Sequence, residues 1–177
     1  MKGIVFTEFL AMVEDGHGAD VTDELLELPE LASGGAYTSV GTYDFQELVA
    51  MVVKLSELLE VPIPELLHDY GVHLFGRFVE VFPGLFEGQA DADAFLSGVH
   101  DHIHFEVRKL YPEAELPNFE VELDGEELRM RYTSPRPLAD FALGLIHGCL
   151  RHFGDEREVT CTLEGERDGT QATFTIR

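Results

Sequence analysis

The sequence predicts an α+β protein, with helices in its N-terminal part and an antiparallel sheet in its C-terminal part. Up to residue 111, apolar residues recur mainly with the three- and four-residue spacing of amphipathic helices. After Asn118 the pattern changes to two pairs of alternating segments, each pair with an Asp-Gly turn signal. The predicted sheet therefore has four antiparallel strands, with one helix inserted between its two hairpins.

Helices are predicted at several places before the sheet and at one place within it. The clearest is 44–59, an amphipathic segment for which Asp44 is a suitable N-cap. The other predicted helices are 3–15, 21–28, 62–71, 91–111 and 137–153, of which 91–111 is expected to be the longest. The length of 177 residues suits one domain or two tightly joined subdomains, and the sequence contains no internal repeat and no low-complexity tract.

The charge of the chain is strongly negative. Its 34 acidic residues against 12 basic ones give a formal net charge of −22. Such a chain lacks the clustered Lys and Arg that nucleic acid and anionic membranes require, so neither is a predicted partner. The charge favours solubility, and steering toward a basic partner protein is the alternative interpretation.

The cysteines and the N-terminal segment indicate a reducing compartment. Cys149 and Cys161 form no CxxC pair and suit the cytosol as free thiols. The opening segment is apolar but contains Glu8 and Glu14, which interrupt a signal-peptide core and leave too short a run to span a membrane. A cytoplasmic location is therefore predicted.

Three histidines lie on the predicted 91–111 helix. His100 and His104 share one helix face, whereas His102 lies about 200° away. His104 is at the edge of an apolar stripe that includes Ile103 and Val107, so its ring can point into the interior. One inward His is what a five-coordinate haem needs. An exposed or hydrogen-bonded His104 is the alternative, as is zinc on His100 and His104, for which no third ligand is evident.

The second candidate constellation is the segment RYTSPR at 131–136. On an extended chain, Tyr132, Ser134 and Arg136 would face the same side. All three side chains can donate hydrogen bonds, and the Arg136 guanidinium suits a carboxylate. Because haem needs one axial base and donors for two propionates, His104 and these three residues together favour a haem site. A solvent-facing strand edge is the alternative interpretation of the segment.

The chain resembles the H-NOX (haem nitric oxide/oxygen binding) family, which is related to the haem domain of soluble guanylate cyclase. The resemblance covers nearly the whole length. It is carried by the opening MKGIVF, the segment HDHIHFEVRKLYPEAELP, the YxSxR motif at 132–136 and the segment FALGLIHG that follows. It implies one domain, 1–177, in which haem b is buried between a distal helical subdomain at about 1–60 and a proximal, sheet-bearing subdomain at about 61–177.

The resemblance also implies which residues contact the haem. In the family the axial His lies seven residues before the position of Tyr111 here, which selects His104 rather than His100 or His102. Pro117 corresponds to a proline that presses on the haem and distorts it. The implied pocket residues are the apolar side chains Val5, Phe9, Leu74, Phe78, Phe82, Phe141 and Leu145.

The resemblance implies a preference for nitric oxide over oxygen. Oxygen-binding members have a Tyr at the position of Phe141, and its hydroxyl donates a hydrogen bond to the bound gas. Neither Phe141 nor Leu74 can donate, so poor O2 binding is expected, with NO and CO as ligands. Some relatives carry a four-cysteine zinc cluster near the C-terminus, but only Cys161 matches one of its ligands, so no zinc is expected.

The implied function is gas sensing without catalysis. NO would weaken or break the bond between the iron and His104, freeing the helix and relaxing the haem away from Pro117. Because the sensor fold accounts for the whole sequence, the signal is expected to pass to a separate histidine kinase or cyclic-di-GMP enzyme. The alternatives are a metal-dependent enzyme using His100 and His104, or a cofactor-free acidic interaction module.

Overall fold

A computed structural model describes residues 1–110 and 114–177 of the chain. The chain folds into two compact units, Met1–Tyr70 and Gly71–Arg177. The N-terminal unit contains α1 (Gly3–His17), α2 (Ala19–Leu26) and α3 (Phe45–Leu59), and α4 (Ile63–Val81) begins in this unit and ends in the next. The predicted helices at 3–15, 21–28 and 44–59 therefore agree with the structure to within about two residues.

A buried carboxylate fastens the long α2–α3 connection to α3. Asp44 caps the helix as predicted, accepting a hydrogen bond from the backbone N–H of Gln46 at 2.9 Å. Close to it, Glu47 is buried and accepts hydrogen bonds from the Ser33 backbone and hydroxyl and from the Tyr37 hydroxyl at 2.8 Å. Burial is the main reason why the pKa of Tyr37 rises to about 12, so this phenol is a permanent donor at neutral pH.

Helix α4 is longer than the sequence predicted. A stop at about Gly71 was expected, yet the helix continues to Val81 before the short 3-10 turn Pro83–Leu85. Gly71 is needed for close helix packing, because a Cβ atom there would lie 2.3 Å from the Phe141 carbonyl oxygen. A helical Gly that permits such an approach has the same sequence signature as a helix end.

The predicted 91–111 helix consists of three segments in the described residues. They are α5 (Ala92–Gly98), a π turn (Val99–Ile103) and α6 (His104–Leu110). Asp91 caps α5 by accepting a hydrogen bond from the Ala94 N–H at 2.8 Å. In the π turn the N–H of His104 donates to the carbonyl of Val99, five residues earlier. The expected helix exit at Tyr111 and Pro112 lies outside the described residues.

The four predicted strands and the inserted helix are confirmed. They are β1 (Asn118–Asp124), β2 (Glu127–Thr133), α7 (Ala139–Phe153), β3 (Val159–Leu163) and β4 (Gln171–Ile176). The sheet order is β1-β2-β4-β3 and every neighbouring pair is antiparallel. Gly125 and Gly169 of the two Asp-Gly signals have positive φ angles of 64° and 85°, which is the backbone conformation that glycine allows at a turn.

The core of the C-terminal unit lies on one face of this sheet. Alternate residues of β2 and β4 are buried, and helices α5 and α7 contribute the residues that pack against them. The members of this cluster are Phe75, Ala92, Phe95, Leu96, Leu128, Met130, Tyr132, Ala139, Ala142, Ile146, Cys149, Leu150, Ala172, Phe174 and Ile176. Tyr132 of the YxSxR motif is thus a core residue as well as a candidate site residue.

Arg157 joins three parts of the C-terminal unit. Its guanidinium contacts Asp155 and Asp93, each at 2.6 Å, and donates to the Glu126 carbonyl at 2.8 Å. These groups come from the α7–β3 connection, α5 and the β1–β2 turn. The arginine holds the pKa of Asp155 below its usual value.

We expect Arg157→Ala to destabilise the protein by about 2–3 kcal/mol at pH 7, since it leaves two mostly buried carboxylates without their cation. Asp155 has a lowered folded-state pKa, so its contribution is present above its unfolded pKa and is lost as the pH falls through the folded value. The difference from the wild type should therefore shrink below about pH 4. Chemical denaturation at a series of pH values from neutral to acidic measures this, with the exposed Arg129→Ala as control.

None of the helices in residues 1–110 and 114–177 has the length and apolar character needed to cross a bilayer.

Candidate haem-binding site

His104 is the first residue of α6, immediately after the π turn. Burial is the largest influence on its ring and lowers the pKa to about 4, helped by the nearby charge of Arg108 and by His100. The Pro117 carbonyl acts in the opposite direction and partly offsets these effects. The imidazole is therefore neutral at physiological pH, which is the protonation state that a metal ligand requires.

The Nδ1 atom of His104 is buried and finds no partner of good hydrogen-bond geometry among the described residues. The Pro117 carbonyl is near enough to affect the His104 pKa, although it does not reach that geometry. A metal-bound His commonly donates its other ring N–H to a backbone carbonyl. The Pro117 carbonyl is therefore a candidate acceptor for Nδ1, should the other ring nitrogen of His104 bind a metal.

A row of rings connects His104 to the YxSxR motif. The His104 ring centroid lies 5.9 Å from that of Phe119, and Phe119 lies 5.5 Å from Tyr132. Phe119 faces Tyr132 across the β1–β2 ladder. Sequence reasoning missed Phe119. The turn at Asp124-Gly125 could have revealed it. A hairpin with this turn places Asp124 opposite Glu127, and counting five residues back from the turn along each strand places Phe119 opposite Tyr132.

The YxSxR motif begins in β2 and ends in a turn, so it is extended only as far as Thr133. The strand ends at Thr133, and the Ser134 hydroxyl accepts a hydrogen bond from the Arg136 N–H at 3.0 Å. The Tyr132 hydroxyl lies 3.4 Å from the Arg136 carbonyl, to which it donates. Burial raises the pKa of Tyr132, so its hydroxyl keeps its proton at neutral pH. The structure thus brings the three residues together by a side-chain-stabilised turn instead of by strand alternation.

Arg136 already binds a carboxylate in this structure. One guanidinium nitrogen donates to the backbone carbonyl of Glu115 at 3.0 Å, and the other contacts the Glu115 carboxylate. The Arg136 side chain is only 16% exposed, whereas that of Glu115 is 72% exposed. The cation is therefore held within the protein surface, and the carboxylate that it contacts reaches it from solvent. Sequence reasoning did not identify Glu115.

The remaining predicted pocket residues of the C-terminal unit lie on α4 and α7. Leu74 is buried, and Phe78 is half-buried with its ring 6.0 Å from that of Phe82, which is 40% exposed just beyond the end of α4. Phe141 and Leu145 lie one turn apart on α7 and are half-buried. At this point in α7 the Phe141 carbonyl and the Leu145 N–H come close to Gly71 of α4. None of these five side chains offers a hydrogen-bond donor.

Two predicted pocket residues belong to the N-terminal unit. Phe9 is fully buried and Val5 half-buried on α1. Tyr70 contacts both, since its ring lies 5.2 Å from that of Phe9 and its hydroxyl donates to the Val5 carbonyl. Tyr70 was not predicted, because its partners are about sixty positions away in the sequence.

The donor set fits haem better than a bare metal ion. A neutral His104, the Pro117 carbonyl and a cation that already binds a carboxylate match an axial base and a propionate site. In the part of the chain that the structure describes, no three His, Cys, Asp or Glu side chains are grouped as metal ligands. Cys149 and Cys161 are both free thiols, and burial raises the pKa of Cys149 to about 12.

Comparison with known proteins identifies relatives over the full length. The sequence profile of the haem-NO-binding family matches residues 2–161. An H-NOX protein from K. algicida in the unliganded Fe(II) state is 42% identical, with a TM-score of 0.94 over 100% of this chain and 96% of that chain. An H-NOX protein from S. oneidensis in the Fe(II)NO state is 30% identical, with a TM-score of 0.88 over 100% and 98%.

A third relative is the H-NOX of Shewanella woodyi, solved with IWP-051 bound and in the Fe(II)CO state. It is 43% identical, with a TM-score of 0.84 over 99% of this chain and 93% of that chain. No protein with a curated description matches the chain significantly.

The family profile and the full-length relatives, together with the fold, place the chain among the haem-binding gas-sensor domains, which are not enzymes. The chain belongs to the H-NOX, or haem-NO-binding, family. The family and fold predictions made from the sequence are thereby confirmed.

Proposed function

We propose that this chain is a cytoplasmic nitric oxide sensor that binds ferrous haem b through His104. The observation that carries the proposal is the state of that residue: a neutral, half-buried imidazole at the first position of α6, next to the Pro117 carbonyl. Haem b is favoured over covalently attached haem because neither Cys149 nor Cys161 belongs to a CxxCH motif. The free thiols are consistent with a reducing cytoplasm.

Three residues of the motif would hold the propionates. Tyr132 and Ser134 supply hydroxyls, and Arg136 supplies a fixed cation whose carboxylate-binding ability is visible in its contact with Glu115. The apolar contacts to the haem would come from the seven predicted pocket residues. The proposed sensor domain spans residues 1–177 and so includes both units. None of the seven predicted pocket residues has a side chain that ligates iron, so His104 is the axial base that we propose.

A bound haem would supply the gas-binding position, and His104 would hold its iron through a bond that NO is expected to weaken. The chain's own contribution is a helix that can respond when that bond is lost. His104 is the first residue of α6, and the π turn before it contains one extra residue per hydrogen-bonded ring. Return of this turn to α geometry would rotate α6, so the π turn is the element that we expect to change. The distortion that Pro117 would impose on the haem would then be released.

The apolar α7 face supports discrimination against oxygen. Phe141 and Leu145 carry no donor, and neither do Leu74 and Phe78. Bound O2 gains stability from a donated hydrogen bond, whereas NO and CO need little such help. NO-bound and CO-bound states of the Shewanella relatives support the same ligands for this chain.

We expect the ferrous protein to bind NO and CO and to form no lasting oxygen complex in air. Visible spectra recorded in air and under each gas test this, and a stable oxy spectrum would contradict it. Phe141→Tyr places a hydroxyl on this face of α7, and a hydrogen bond of ordinary strength would raise the oxygen affinity by about three- to tenfold. Leu145→Met, which changes the same face without adding a donor, is the control.

The output is proposed to pass to a separate histidine kinase or cyclic-di-GMP enzyme. The strong negative charge of the sensor supports a basic docking surface on that partner. Association should then slow as the salt concentration rises, because salt screens the attraction between the two surfaces.

The visible spectrum of the purified protein, with metal analysis, tests the proposal directly. A Soret band with about one iron per chain is the expected result. Zinc without a Soret band would instead support a metal site on His100 and His104. A colourless, metal-free protein that haem cannot reconstitute would support the acidic interaction module.

A further inference from the structure

We propose that Glu115 is a built-in competitor for the haem propionate, occupying Arg136 before haem binds and setting the haem affinity. The inference rests on the proposed function, because it takes Arg136 to be a propionate partner. It assigns to Glu115 a role that neither the YxSxR motif nor the sequence pattern indicates.

The two contacts between Glu115 and Arg136 are of different kinds. One nitrogen of the guanidinium donates to the Glu115 backbone carbonyl at 3.0 Å, and the other contacts the side-chain carboxylate. The backbone contact does not depend on the side chain. It therefore keeps the guanidinium oriented when the Glu115 carboxylate leaves, so that a second carboxylate can replace it at the same nitrogen.

The different exposures of the Arg136 and Glu115 side chains make it feasible for a propionate to replace the Glu115 carboxylate. The Arg136 side chain is 16% exposed and stays in place, whereas the Glu115 side chain is 72% exposed and can turn into water. An exposed carboxylate is fully hydrated after release, so displacement carries little desolvation cost. A propionate and Glu115 cannot both occupy the same guanidinium nitrogen, and two carboxylates close together repel each other.

Glu115 is also well placed in the sequence for this role. It lies two residues before Pro117, whose carbonyl affects His104. Arg136 is further fixed by the contact of its N–H with Ser134 and of its carbonyl with Tyr132. The competitor therefore acts on a cation that joins the motif to the segment carrying Pro117.

The test uses Glu115→Gln, which removes the charge but retains the size of the side chain and the backbone contact. Haem transfer from the holoprotein to excess apomyoglobin should become about three- to tenfold slower, since a competing surface ion pair and its repulsion are removed. Glu120→Gln is the matched control, because Glu120 is similarly exposed and pairs with Arg131 at 3.8 Å outside the motif. It should leave the transfer rate unchanged.

Haem dimethyl ester distinguishes competition from a structural effect. Its propionates are esterified, so they cannot compete with Glu115 for the guanidinium. The difference between wild type and Glu115→Gln should then disappear. Slower loss of the ester as well, or unchanged or faster loss of ordinary haem from Glu115→Gln, would overturn the inference.

Arg136→Ala separates this inference from the proposed function. If Arg136→Ala accelerates haem loss but Glu115→Gln behaves like wild type, only the competition is wrong. If Arg136→Ala has no effect on loss of ordinary haem, the propionate role itself is wrong, and the inference fails with it. In the Arg136→Ala background, Glu115→Gln should have no further effect.

Discussion

His104→Gly is expected to purify almost free of haem and to regain it when imidazole is supplied. Loss of even an outer-shell partner weakens metal binding by about 10- to 100-fold, so loss of the axial ligand should weaken haem binding by about 100-fold or more. The glycine leaves a gap at the start of α6 that free imidazole can fill. The Soret absorbance of protein purified with and without imidazole measures the effect.

His100→Gly is the matched control for the axial assignment. His100 lies in the π turn, its ring centroid is 6.3 Å from that of His104, and its Nδ1 atom is also buried. The substitution therefore has a similar effect on helix propensity and packing, but it leaves the proposed ligand in place. Full haem retention by His104→Gly without imidazole, with loss in His100→Gly, would reverse the assignment.

The rescued His104→Gly protein also tests the proposed trigger. It contains haem but has no bond between the iron and α6. Its effect on the signalling partner should resemble that of the NO-bound wild type, even without NO. If it behaves like the unliganded wild type, release of His104 is not the trigger, and a change of the haem against Pro117 becomes the leading mechanism.

Arg136→Ala is expected to accelerate haem loss by about 10- to 100-fold. A charge-assisted hydrogen bond contributes about 1.5–3 kcal/mol, and each 1.4 kcal/mol corresponds to roughly a factor of ten. The substitution also removes the contact with the Glu115 carbonyl and so loosens the segment before Pro117. Haem transfer to apomyoglobin measures the rate.

Arg131→Ala is the control for charge, because Arg131 is an exposed residue of β2 that pairs with Glu120. It should change the transfer rate by less than about twofold, the range expected for a surface ion pair. An unchanged rate in Arg136→Ala would mean that Arg136 does not bind a propionate. A similar acceleration in both variants would indicate a general effect of net charge.

Much of the fold could be predicted because it depends on local patterns. Helix α3 has a clear apolar stripe and the Asp44 cap, and both hairpins carry an Asp-Gly turn. The end of α4 was predicted wrongly, since Gly71 is a close-packing residue that has the same local signature as a helix end. The π turn was missed because an extra residue in one hydrogen-bonded ring leaves no periodic signal.

The candidate site was predictable only to the level of residue types and spacing. Helix periodicity placed His100 and His104 on one face but could not choose between them, and the family spacing made that choice. Strand alternation predicted that Tyr132, Ser134 and Arg136 share a face, but a hydroxyl within the motif turns the chain instead. The Tyr132 and Ser134 side chains instead contact the Arg136 backbone, at its carbonyl and its N–H, while the Arg136 guanidinium contacts Glu115.

The sequence by itself determined the class of protein, because the spacing of His104, the YxSxR motif and the strand pattern are local or nearly local features. Tertiary structure alone decided the protonation state of His104, the contact between the His104 and Phe119 rings, and the ion pair between Glu115 and Arg136. Burial and charge at a site depend on side chains brought together from distant positions. Glu115 and Arg136, for example, are 21 residues apart. Local pattern carries no information about such contacts, so only the folded chain reveals them.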